Sequence, residues 1–112
     1  MSQENDFLVS LPDHAGILQT RIENRPLHLT HNKPNFESGK ITFGGPMYHS
    51  QPKDTEDAMT KITGSIHLCK AASEKEVWEM IRCDPYAKLG VWDLDRAVVT
   101  PMKVFLSKPL VV

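Results

Sequence analysis

Histidine is the side-chain type whose charge changes nearest neutral pH, and His28 stands two residues after Pro26. Proline suits the opening turn of a helix, where its missing N–H is no loss, so Pro26 places His28 at about the third helical position. There the unpaired N–H groups and the helix dipole disfavour an imidazolium, and a neutral ring can accept a proton. Spacing alone favours a surface or core histidine with no task, and the ring's near-neutral pKa is the one point on the other side. Asp84 precedes Pro85, which fits a helix N-cap without any appeal to catalysis, and capping is the favoured reading. Arg25 is either a solvated helix-start residue or an anion clamp, because guanidinium meets carboxylates and phenolates with paired hydrogen bonds.

Gly44-Gly45-Pro46 would let a ligand approach the backbone and could leave N–H groups free for an oxyanion. A tight strand exit is the plainer reading, and no Gly-Lys-Ser/Thr follows to make a phosphate loop. Ser65 and Cys69 fall on the side of one strand opposite Ile66 and could line a pocket; neither has a histidine nearby in sequence, so no nucleophilic triad is read. His28 and His31 are three apart, with His49 and His67 elsewhere. No carboxylate or cysteine stands at a diagnostic spacing to them, so no metal site is expected.

Several elements must position these groups. Phe7 to Leu11, closed by Pro12, reads as a first strand. Asp13 to Ile22 reads as a helix with Asp13 as N-cap, and a second helical piece from Pro26 should be limited by Pro34 to about two turns. Lys40 to Phe43 reads as a second strand ending at Gly44-Gly45-Pro46, followed by a polar loop over 48–61 that could act as a lid or dimer arm. Ile62 to Cys69 alternates as a half-buried strand. Ser73-Glu74-Lys75-Glu76 is a capping box opening a helix to about Arg82, and Asp84-Pro85 starts a short helical turn. Val91 to Trp92 and Ala97 to Leu106 are β-rich, with Pro101 demanding an edge position or a bulge.

This order is β-α-β-β-α-β, the α+β ferredoxin-like plan of an antiparallel sheet with its helices on one face. One helix layer cannot cover both sides, so the free face should meet a second chain, a ligand, or both. A homodimer is expected, with a higher oligomer left open. The 112 residues suit one domain. With 13 Lys+Arg against 14 Asp+Glu and no block of like charge, the clustered basic face that nucleic acid requires is missing. Two cysteines fourteen apart fit neither a disulfide framework nor a zinc ribbon. The polar N-terminus and the lack of an apolar run near 18 residues predict a cytoplasmic protein without a membrane span.

Arg25-Pro26-Leu27-His28-Leu29, Gly39, Gly44-Gly45-Pro46-Met47, Ile62-Thr63-Gly64-Ser65, Asp84-Pro85-Tyr86 and Gly90-Val91-Trp92 together resemble the YCII-related family, over about residues 5–106. The resemblance implies a dimeric α+β barrel and a histidine–aspartate pair in a cleft, and at least one member eliminates chloride from a hydroxylated aromatic. Carried over by position, the pair is His28 and Asp84, with Arg25, Gly44, Gly45, Pro46, Ser65 and Tyr86 as candidate substrate-binding residues. Pro34 and Asn35 fall where family members continue an apolar helix. The expected function is a cofactor-independent lyase or isomerase acting on a small phenolic or cyclic metabolite of secondary metabolism. A non-catalytic metabolite-binding or accessory dimer is the alternative, and it would suit a dry, filled cleft.

Overall fold

Alternation in the first strand sends Phe7, Val9 and Leu11 to one side, and all three are buried. In the computed structural model, which describes residues 4–107, β1 (Asn5–Pro12) is therefore an inner strand. It pairs antiparallel with β3 (Ile62–Ala71) on one side and β4 (Val98–Met102) on the other, and β2 (Ile41–Tyr48) closes the sheet beyond β3 in the order β2-β3-β1-β4. The register sets Val9 opposite His67 and Leu11 opposite Ser65. His67 and Ser65 thus share the face of the buried apolar residues.

Helices cover that face. Val77 and Ile81 of α4 (Glu74–Cys83) and Tyr86 of α5 (Pro85–Lys88) join Phe7, Val9, Leu11, Val91 and Trp92 in one core. Full burial of a side chain such as Leu11 stabilises the fold by about 1.5–3 kcal/mol. The capping box at Ser73 forms: its Oγ accepts the Glu76 N–H at 3.3 Å, while the Glu76 carboxylate accepts the Ala72 N–H at 2.8 Å, one residue ahead of the cap. The opposite sheet face carries Leu8, Ile66 and Leu68 on the inner strands, with Phe43, Val98 and Met102 exposed at the outer ones.

Several elements depart from the local sequence signals. The first helix, α1 (Leu18–Glu23), starts late because Asp13 is not its cap; the Asp13 carboxylate instead accepts two bonds from Arg21, at 2.7 and 2.9 Å. α2 (Arg25–Glu37) continues through Pro34, where a stop was expected. It gives up one bond to the Thr30 carbonyl, and Thr30 is exposed, so water can take its place. Gly39, at φ 83°, ends the chain's helical course.

β2 does not end at Gly44-Gly45-Pro46 but runs through them to Tyr48, because β3 pairs with each in turn. The stretch 48–61, expected as a loop, folds its second half into α3 (Thr55–Lys61), capped by Asp54 accepting the Asp57 N–H at 2.8 Å. Val91 to Trp92 makes a single bridge to Asp13 rather than a strand, and β4 stops at Met102 rather than Leu106. β4 pairs only with β1, so Pro101 sits on an edge strand.

Candidate active site

Along α2, Arg25, His28, Leu29, Asn32, Lys33 and Phe36 recur at helical spacing, and this stripe faces a cavity of about 830 Å³ rather than the core. Ala58 and Met59 of α3 line it, and Gly44, Pro46, Ser65 and His67 of β2 and β3 contribute from the sheet. The filled cleft that a purely structural pair would suit is not what the chain builds.

His28 Nδ1 lies 2.8 Å from Asp84 Oδ1. The Asp84 side chain is 3% exposed. A carboxylate acceptor selects the tautomer with the proton on Nδ1, which leaves Nε2 as the lone-pair nitrogen on the cavity side. Asn32 Nδ2 stands 3.2 Å from the same Nδ1 but donates to Asp84 Oδ2 at 2.6 Å and to the His28 carbonyl at 3.0 Å. Asp84 also accepts the Tyr86 N–H at 2.9 Å, so capping and pairing are served by one carboxylate. Burial pushes the Asp84 carboxyl up, but the bonds from His28, Asn32 and Tyr86 outweigh it and hold the group below its ordinary range.

The His28 ring stacks on Tyr86, with centroids 4.0 Å apart and planes 5° from parallel, and meets Trp92 edge-on at 5.7 Å. Burial raises the Tyr86 phenol above its usual value, and its O–H donates to the Arg21 carbonyl at 3.1 Å. Tyr86, itself buried, therefore backs the His28 ring and keeps its hydroxyl turned away from the cavity. Arg21 is 6% exposed. Its guanidinium lies 4.9 Å from the Tyr86 centroid and donates to Ser65 Oγ at 2.7 Å, where Trp92 Nε1 also donates at 3.2 Å. Ser65 Oγ, accepting twice, keeps only its own O–H to give away.

His67 is a second imidazole in the cavity, its centroid 6.0 Å from that of His28. Burial, reinforced by the neighbouring His28 and Arg21 and opposed by Asp84, lowers its pKa to about 4. Cys69 lies in the core rather than on the cavity, and burial pushes its thiol up to about 11. A thiol so placed is unreactive at neutral pH.

Among the expected site residues, His28 and Asp84 are in contact, and Arg25, Gly44, Gly45, Pro46, Ser65 and Tyr86 all border the cavity. The oxyanion role expected of Gly44 and Gly45 finds no geometry. As strand residues they keep their N–H groups in the plane of the sheet, whereas the cavity lies above its face. Sequence reasoning missed Arg21, Asn32 and His67 as site residues. The signal for His67 was the alternation of β3, whose Ser65-His67-Cys69 side lies against the helices. Among the described residues, no three His, Cys, Asp or Glu side chains converge as metal ligands, and no helix is long and apolar enough to cross a membrane.

Sheet order, helix layer and enclosed imidazole–carboxylate contact define an α+β protein of the ferredoxin-like class with a cavity between its helices and sheet. The YCII-related domain matches residues 6–102, and the chain belongs to that family. It is 49% identical to a derivative of benzaldehyde biosynthesis cluster protein of Emericella nidulans, over 80% of this chain and 91% of that one. A xenovulene A biosynthesis cluster protein of Sarocladium schorii is 34% identical over 97% and 96% of the two chains. Among solved structures, the 5-chloro-2-hydroxyhydroquinone dehydrochlorinase of Burkholderia phenoliruptrix, in complex with 2,5-dihydroxybenzoquinone, superposes with a TM-score of 0.74. It is 31% identical and covers 88% of this chain and 93% of its own. The relatives are thus secondary-metabolism cluster proteins, and the structural neighbour is a lyase-type enzyme acting on a hydroquinone.

Proposed function

We propose that this protein is a small lyase or isomerase that moves a proton on a phenolic or cyclic metabolite of a secondary pathway, with His28 as general base and acid. The 2.8 Å contact between His28 Nδ1 and Asp84, with the opposite edge of the ring on an open cavity, carries this reading. Nε2 takes a proton from an acidic C–H; the C–H electron pair forms the new double bond, and a leaving group such as chloride departs with its own pair. In a tautomerisation the same proton returns to another atom of the ring. Neither path changes oxidation state or needs an organic cofactor. Asp84 fixes the tautomer and steadies the imidazolium as it forms, and such a base contributes typically 10²–10⁴-fold.

Arg25 lines the cavity from the first turn of α2 and would face developing oxyanion charge. Gly44, Gly45 and Pro46 provide a flat floor for a ring, and Ser65 and Tyr86 bound it. The dehydrochlorinase likeness supports the substrate class, since that enzyme acts on a chlorinated hydroquinone. The exposed apolar residues Phe43, Val98 and Met102 on the uncovered sheet face favour a homodimer built on that face.

Turnover of halogenated quinols and hydroxylated phenols by wild type, His28→Ala and Asp84→Asn tests the pair. Loss in both variants is expected; unchanged turnover in folded variants ends the proposal. Light scattering behind a sizing column should give twice the chain mass.

A further inference from the structure

His67 lies in the cavity wall at 8% exposure, and no hydrogen bond or ion pair engages it among the described residues. No buried side-chain nitrogen or oxygen among those residues lacks a partner, so the unbonded nitrogens of His67 open on the cavity. Taking most of an imidazole out of water beside an apolar cross-strand neighbour, Val9, with no protein group bonding its nitrogens among the described residues, opposes folding. The surroundings are nevertheless shaped to keep that ring. Gly44 is paired with it across the β2–β3 ladder, and a Cβ on Gly44 would come 2.9 Å from His67 Cδ2 and 3.5 Å from Nε2. On the other side the ring meets Trp92 edge-on at 5.7 Å, as His28 does, so one indole sets the position of both imidazoles.

We propose that His67 is a second substrate-contacting residue, whose ring nitrogens hold an oxygen of a hydroxylated quinone or phenol while His28 moves the proton. This rests on the proton-transfer reading of the site and names the ligand's oxygen substituent as what the second imidazole recognises. A neutral imidazole carries one N–H and one lone pair, so it can give a hydrogen bond to a carbonyl or take one from a phenolic O–H. During proton abstraction the C–H pair moves into the ring and the carbonyl π pair moves onto oxygen; the His67 N–H then bonds that oxygen as its charge grows. An elimination finishes when the returning pair expels chloride, and no further reactant enters. The low His67 pKa keeps it out of competition for the abstracted proton.

The probe is 2,5-dihydroxybenzoquinone, titrated calorimetrically into wild type, His67→Phe and His67→Gln, each checked for a cooperative melt. His67→Phe keeps a flat ring but loses both polar atoms and should weaken binding roughly 10- to 100-fold. His67→Gln restores a donor and an acceptor and should bind within about 5-fold of wild type. Equal affinity in wild type and His67→Phe, or equal weakening in both variants, overturns the assignment. Turnover retained in His28→Ala would remove the proposed function alone, because the His67 comparison is read in binding. A wild-type protein that binds no hydroxylated quinone or phenol removes both.

Discussion

Asp84→Asn is the perturbation with the most to say, because the carboxylate holds three donors at once and the amide can satisfy only some of them. The amide oxygen can keep the Tyr86 N–H, bonded at 2.9 Å, so the start of α5 should survive at a cost of a few tenths of a kcal/mol. The contacts at 2.8 Å to His28 and 2.6 Å from Asn32 lose their charge, and the new NH₂ faces another donor. Charge-assisted bonds to a buried group contribute about 1.5–3 kcal/mol each. The oxygen that keeps Tyr86 stands at Oδ1, which His28 Nδ1 also meets, so the NH₂ replaces Oδ2 and the clash is with Asn32. Part is recovered when the Asn32 amide turns its oxygen inward, so a net loss of about 2–3 kcal/mol is expected, a fall in Tm of roughly 8–15 °C.

The wild-type advantage over Asp84→Asn has a defined pH window. The Asp84 pKa is lowered in the folded protein, so the carboxylate's stabilisation is complete above the unfolded value near 4 and fades as pH falls through the folded one. The histidine ¹⁵N spectrum should show His28 protonated on Nδ1 in wild type and variant alike, because the amide oxygen that keeps the Tyr86 N–H also stays opposite His28 Nδ1. Turnover of a quinol substrate should fall 10²–10⁴-fold, mainly in kcat. Turnover within about 3-fold of wild type in the folded variant, or His28 protonated on Nε2 in the wild type, would refute the reasoning.

Other variants probe the surroundings. Arg21→Met leaves the Asp13 carboxylate buried without its partner and should cost about 3–5 kcal/mol in urea unfolding. His67 binds no proton in the fold until about pH 4, whereas the unfolded ring takes one near 6.5. Wild-type stability should therefore drop by about 3 kcal/mol as pH falls between those values, and His67→Phe should remove that slope from denaturation curves. Brief alkylation of the native protein should label exposed Cys83 and spare buried Cys69, read as a single adduct by intact mass.

Local chemistry announced some helix starts and misplaced several other boundaries. Ser73 and Asp84 were legible as caps because capping is decided within four residues. Pro34 and the Gly-Gly-Pro run were misread because both look like stops, yet a solvent-facing carbonyl excuses the proline and the pairing with β3 carries the strand across the glycines. The His28–Asp84 contact spans 56 positions, and no local rule reaches that far; it came from the family resemblance. Arg21 and His67 were hidden for the same reason. A polar residue inside an apolar pattern looks like an interruption until the fold shows that the interrupted face encloses a void.

That void has a consequence for how the family can diversify. α2 contributes no buried residue, and His28 and Asn32 are what tie it to Asp84 and Tyr86, so its other cavity-facing side chains stand apart from the packing that keeps the chain folded. Replacements at Leu29, Lys33 or Phe36 redraw the chamber at little expense in stability. One inherited scaffold can in this way be refitted to new aromatic intermediates by drift along a single helical edge.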